Sequence, residues 1–179
     1  ALDLKQVEVI KGSASTLYGG GAIAGLINLV SKGPSEERQL NFHINGTTAG
    51  GLDLNGFYSK RHNKTGITLF ASRNSSNPYD PSDIGLTAIP EYERYTMNPK
   101  LYYYFSDRTT LSFGVNANTE WRTGGDIEFI KYNKTEGYFE KNNTDRFATQ
   151  LAFEHNVDSV HRIGFKNSVN IFKRDLRVP

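Results

Sequence analysis

The chain has 179 residues, enough for one ordinary domain with a real core. Its 21 Lys and Arg stand against 19 Asp and Glu, a net charge of +2 with no long run of one sign, which excludes a strong field for nucleic acid. Cysteine is absent, so disulfides and thiolate metal sites are excluded; His43, His62, His155 and His161 share no metal-ligand spacing, and neither a metal nor a cofactor is expected.

The first element in chain order is the stretch from Val7 to Lys32, VEVIKGSASTLYGGGAIAGLINLVSK. VEVIKG reads as a strand, SASTLYG as one helical turn with Ser13 as its cap, and GLINLVSK as a returning strand. Gly19-x-Gly21-x-x-Ala24 fits a loose dinucleotide fingerprint, but SASTLY separates it from the strand and no βαβ unit follows. A P-loop fails because no Gly-Lys-Ser/Thr is present. The glycines therefore read as packing and turning residues.

This stretch resembles the C-terminal end of the plug domain in TonB-dependent outer-membrane receptors. The matching positions are Val7, Glu8, Val9, Lys11, Gly12, Ala14, Leu17, Tyr18, Gly19, Gly21, Ala22, Ile23, Gly25, Ile27, Asn28 and Lys32, with Gly12, Tyr18, Gly19, Gly21, Gly25 and Asn28 as the structural signature. The resemblance covers about the first thirty residues. It implies residues 1–33 as a plug end, 34–38 as a linker and 39–179 as the first strands of a large plugged barrel. Such receptors sit in the bacterial outer membrane. They take up a scarce ligand (an iron-siderophore, haem, cobalamin or glycan) with energy passed from an inner-membrane TonB-type partner. The resemblance implies transport and no catalysis, with Glu8 and Lys11 in structural polar contacts.

From residue 38 onward apolar residues recur at every second position. Leu40, Phe42 and Ile44 alternate with Asn41, His43 and Asn45; Leu52, Leu54 and Tyr58 follow, then Ile67, Leu69 and Ala71. Leu111, Phe113, Val115, Ala117 and Trp121 stand opposite Ser112, Gly114, Asn116, Asn118 and Glu120. Phe147, Leu151 and Phe153, then Ile163, Phe165, Val169 and Ile171, continue the pattern. RYTMNPKLYYYF is less regular, and its Pro99 predicts a bulge or an unpaired position. The fold class expected is mainly β: about seven antiparallel strands of about ten residues each, the length that crosses a bilayer when tilted.

Short connections at 62–65, 106–108 and 157–160 alternate with long ones at 74–93 and 122–145, as in barrels with short turns on one side and long loops on the other. Tyr102, Tyr103, Tyr104 and Phe105 read as an aromatic girdle at the short-turn side, and Trp121 as part of the opposite girdle. Candidate ligand-binding loop residues are Tyr79, Tyr92, Arg94, Trp121, Arg122 and Tyr132. Seven strands cannot close a wide barrel, so the expectation is part of a longer receptor whose open edges self-associate, with outer-membrane lipid as a partner. The competing reading is a soluble β-rich binding or adhesion module whose loops hold a ligand.

Overall fold

The computed structural model describes residues 2–12, 24–132 and 137–179. Tyr18, Gly19 and Gly21 of the signature, and the helical turn expected around them, lie outside the described residues. The chain divides into two compact units, residues 1–33 and 34–179.

The first unit is a two-stranded antiparallel sheet of β1 (Leu4–Lys11) and β2 (Gly25–Ser31). Val7 pairs with Leu29, Glu8 with Asn28 and Val9 with Ile27. Paired residues share a face, so Val7, Val9, Ile27 and Leu29 form one apolar surface, all of it exposed. On the other face the Asn28 amide donates to the Glu8 carboxylate at 2.8 Å. The Lys32 ammonium closes the open end on the Leu2 carbonyl at 2.7 Å. Gly25 enters β2 at φ +128°, and a Cβ there would lie 2.6 Å from the Ile10 carbonyl oxygen. Only glycine fits that position.

The second unit is one seven-stranded sheet in simple meander order: β3 (Gln39–Gly46), β4 (Leu52–His62), β5 (Thr65–Ser76), β6 (Glu91–Ser106), β7 (Thr109–Gly125), β8 (Phe139–Asn156) and β9 (Arg162–Arg177). Every ladder is antiparallel, and the sheet is open, with β3 and β9 as its edges. The sequence places the strands correctly and underestimates four of them. β6 to β9 run to 16, 17, 18 and 16 residues. They extend past the apolar alternation into segments such as Lys141–Thr144, where polar residues occupy both faces and hydropathy carries no period.

The connections fall into two sets. Asn63-Lys64, Asp107-Arg108 and residues 157–161 close one end; residues 47–51, 77–90 and the described parts of 126–138 lie at the other. Asn63 takes the left-handed conformation at φ +49°, which asparagine tolerates in a two-residue hairpin. Pro99 produces no bulge. It pairs with Leu69 of β5 in unbroken register; toward β7 the register is the same on both flanks, Met97 with Ala117 and Lys100 with Gly114, and Pro99 has no N–H to give. The bulge of this hairpin lies instead between Tyr104 and Ser106.

The long connections are built structures. Within 126–138 a short helix, α1 (Ile127–Tyr132), takes Asp126 as its cap, whose carboxylate accepts from the Glu128 and Phe129 amides at 2.8 and 3.2 Å. Phe129 stacks on Phe139 at 4.6 Å. The two long loops join through backbone bonds from Thr87 to Gly125 and from Ile127 to Gly85, each 2.9 Å.

At the opposite end the 157–161 turn is organised by Asp158. Its carboxylate accepts from the His161 and Val160 amides at 2.7 and 2.8 Å and meets the His161 ring at 2.9 Å. These contacts, the His161 amide first, then the Val160 amide and the His161 ring, hold the Asp158 carboxyl below its ordinary value of 3.8. A lowered folded value means the turn gains from ionised Asp158 above the unfolded value and loses it as pH falls through the folded one. The His161 amide resonance is therefore expected to titrate with a midpoint below 3.8. In Asp158→Asn that step disappears; a midpoint at or above 3.8 would remove this account of the turn.

Candidate functional site

The register sorts every side chain of the seven-stranded sheet onto one of two faces. One carries Leu40, Phe42 and Ile44, then Leu54, Leu69, Met97, Leu101, Phe113, Val115, Phe147, Phe153, Phe165 and Ile171. This apolar face is the exposed one: Phe42 is 74% and Ile44 73% accessible. The other face carries Asn, Ser, Thr, Gln, Arg, Lys and Glu with scattered glycines. The buried positions of this unit among the described residues, Ser59, Thr68, Ser76 and Ser112 among them, all lie on it. Phe57 and Phe70, paired with each other, are buried apolar residues on this mostly polar face, which also carries exposed Phe172 and Leu176 on β9. A soluble sheet arranges its faces the other way round.

The aromatic quartet of β6 divides between the faces. Tyr103 and Phe105 stand on the apolar face, edge to face at 4.7 Å, as a girdle requires. Tyr102 and Tyr104 stand on the polar face, stacked at 6.4 Å, with Lys100 over Tyr102 and the Arg61 guanidinium 3.8 Å over Tyr104. Only two of the four residues expected as a girdle therefore lie on the apolar face, because successive strand residues alternate sides. At the other boundary the apolar face ends on Tyr95 and Trp121, where Arg73 and the Tyr95 hydroxyl both bond Glu93, at 2.7 and 2.6 Å. From Tyr95 to Phe105 the strand runs about 33 Å at ~3.3 Å per residue. At a tilt of about 40° that is about 25 Å along a bilayer normal, the height of a barrel's apolar band.

A hollow of about 1010 Å³ lies on this apolar face. Its floor is Gly56, Ala71 and Ala117, and its walls include Phe42, Met97, Phe147 and Ile171. Small residues in mid-sheet between large ones make the depression. Among lining residues that share the apolar face, Arg73, Tyr95, Thr119, Asp145 and Lys173 stand together at the long-loop rim. Such a hollow suits an acyl chain better than a solute that needs converging polar contacts.

The polar cluster stands on the opposite face. Tyr92 pairs with Arg122 and Arg94 with Glu120 across β6 and β7. Glu120 receives both arginines: Arg94 through its Nε and Nη2, and Arg122 through Nη2 at 3.0 Å. Both guanidiniums also lie near the Tyr92 ring, at 5.9 and 5.5 Å from its centroid. The Arg122 Nε is buried and has no hydrogen-bond partner among the described residues. Of the six sequence candidates, Tyr92, Arg94 and Arg122 come together here, on strands rather than on loops. Trp121 faces the other side. Tyr79 lies in the 77–90 loop, bridged to Ile89, beside a 510 Å³ polar hollow shared with Gly50 and Lys131. Tyr132 ends α1, 70% exposed. Glu120 was not singled out from sequence, although the alternation puts it two residues from Arg122 on the same face. Its pairing with Arg94 required the register fixed by the Asp107-Arg108 turn.

No family model matches the chain, and no curated protein matches it. Among solved structures it is similar to the siderophore receptor PiuA from Acinetobacter baumannii, at 15% identity and a TM-score of 0.49. The alignment covers 96% of this chain and 36% of that one, so the chain spans little more than a third of that receptor's length.

Proposed function

We propose that this chain supplies part of the wall, and the end of the plug, of an outer-membrane receptor of the TonB-dependent kind. The observation that carries the reading is the inversion of the seven-stranded sheet: an exposed apolar face about 25 Å high between aromatic boundaries, and a polar face that holds the buried residues. The separation of short turns from long loops and the plug-like signature of residues 7–32 support it. In this reading the apolar face meets lipid, the polar face lines the interior, and the long-loop end faces the outside. β3 and β9 pair with further strands of the same wall, because open edges are not tolerated in lipid. The protein binds and admits a small ligand and catalyses no reaction. Energy comes from an inner-membrane partner acting on the plug.

A second reading is favoured by the apolar hollow: a soluble β module holding an apolar ligand between Phe42 and Ile171. It leaves Ile163, Phe165 and Val169 in water beyond that hollow, a patch larger than soluble monomers usually carry.

Protease access separates the two. A cleavable tag placed after Ser82, in the 77–90 loop, is expected to be cut in intact cells. The same tag between Asp107 and Arg108 is expected to be cut only after the outer membrane is opened. Recovery of the protein in the detergent-free soluble fraction, or equal cutting at both sites in intact cells, would overturn the receptor reading.

A further inference from the structure

The polar cluster has more positive charge than it can neutralise internally. On the long-loop half of β6 to β9, Arg94, Arg122, Arg146 and Arg174 share the polar face with Glu120 and, nearer the loops, Glu140. Glu120 is held by two guanidiniums at once. Arg174 bonds neutral Asn142 at 3.0 Å, and Arg146 lies over the Phe172 ring at 5.2 Å. The Arg122 Nε is buried with no acceptor among the described residues, an arrangement that costs stability unless an acceptor is supplied. Asn142 pairs directly with Arg122 on one side while accepting from Arg174 on the other, so the two arginines flank one amide. Their backbones are two strands apart, about 10 Å at ~4.8 Å per strand. A planar guanidinium fork is matched to the paired oxygens of a carboxylate or phosphate.

We propose that Arg122 and Arg174 form an oxyanion-binding site, with Arg94 anchoring Glu120 beside it and Tyr92 as the aromatic support of the Arg94 and Arg122 guanidiniums. It takes a small ligand carrying carboxylate or phosphate groups, and Glu120 is its built-in competitor. In the empty site Glu120 fills the Arg94 fork and meets Arg122 through Nη2 alone; an arriving oxyanion takes the Arg122 Nη2 and Nε together, and Glu120 keeps Arg94. The site rests on reading this face as the receptor's water-filled interior, and it assigns the chemical class of the ligand.

The test is calorimetric titration of the protein, produced from its full reading frame and purified in detergent, with citrate and separately with inorganic phosphate. Binding of either probe is expected, and which one binds more tightly identifies the oxyanion. Arg122→Ala and Arg174→Ala should weaken it about tenfold or more, and Arg122→Lys, which keeps the charge and loses the fork, should weaken it too. Glu120→Gln should tighten it several-fold, because the competitor is gone and the local potential rises. A purely structural Arg–Glu network would show no such gain. Arg108→Ala, in the turn at the far end, should change nothing. Absence of binding by both probes, or binding indifferent to Glu120→Gln and Arg122→Ala, overturns the site. The protease-access pattern in the same cells reports the receptor reading independently, so failure of one is distinguishable from failure of the other.

Discussion

Val115→Arg is expected to block assembly in the membrane, while Asn116→Arg, one residue along the same strand, is tolerated. Val115 lies on the apolar face of β7, beside Thr149, and Val169 stands one strand further on, about midway between the Tyr95 and Tyr103 rows. A cationic side chain at the midplane of a barrel's lipid face costs about 2–4 kcal/mol. Asn116 faces the polar side opposite Ala148, where a further arginine meets water and other polar groups. The measurement is the urea midpoint of the protein folded into lipid vesicles, together with the folded yield. If both faces were in water, either substitution would cost about 0.5 kcal/mol or less, as surface changes do. Equal, small effects at both positions would therefore remove the membrane reading.

Gly25→Ala is expected to open the β1–β2 hairpin. Two penalties combine there: a backbone at φ +128°, which side-chain-bearing residues do not adopt comfortably, and a Cβ 2.6 Å from the Ile10 carbonyl oxygen, which is main chain and cannot swing aside. Together they cost about 2–3 kcal/mol or more. Gly12→Ala is the control. Its φ is +96°, but no atom of the described residues lies within 4 Å of the added Cβ, so the conformational term of about 1 kcal/mol is what the described contacts leave. Amide exchange at Val9 and Ile27 reads the difference: Gly25→Ala should lose protection far more than Gly12→Ala. Equal losses would show that the close approach to Ile10 is not what requires glycine.

The legible part of this chain was the part written as contrast. Period-two alternation between apolar and polar residues assigns a face wherever the two differ. Leu111, Phe113, Val115 and Ala117 therefore fall on one side as read, and Ser112, Asn116 and Asn118 on the other. The two-residue turns were legible because Asn63-Lys64 and Asp107-Arg108 interrupt that alternation. What lacked contrast was missed. Beyond the apolar band Asn142, Asn143 and Thr144 are polar on both faces, so strand there looks like loop, and Tyr92, Arg94 and Arg122 were read as loop residues when they stand on strands. α1 was overlooked although Asp126 before Ile127-Glu128-Phe129 is a capping signal. Trp121 was grouped with Arg122 by proximity in sequence, and neighbours on a strand point apart. The Arg94–Glu120 contact spans 26 positions. It follows from the register set at the Asp107-Arg108 turn, which periodicity does not encode.

The most direct test of the inverted sheet uses the absence of native cysteine in these 179 residues. Single cysteines are placed in turn at residues 112 to 118 of β7, and the protein in native membranes is treated with a lipid-soluble and an aqueous thiol reagent. The account predicts a strict alternation: Phe113, Val115 and Ala117 positions react with the lipid-soluble reagent, and Ser112, Asn116 and Asn118 positions with the aqueous one. Reaction of the odd-numbered positions with the aqueous reagent at the rate of the even-numbered ones would contradict it.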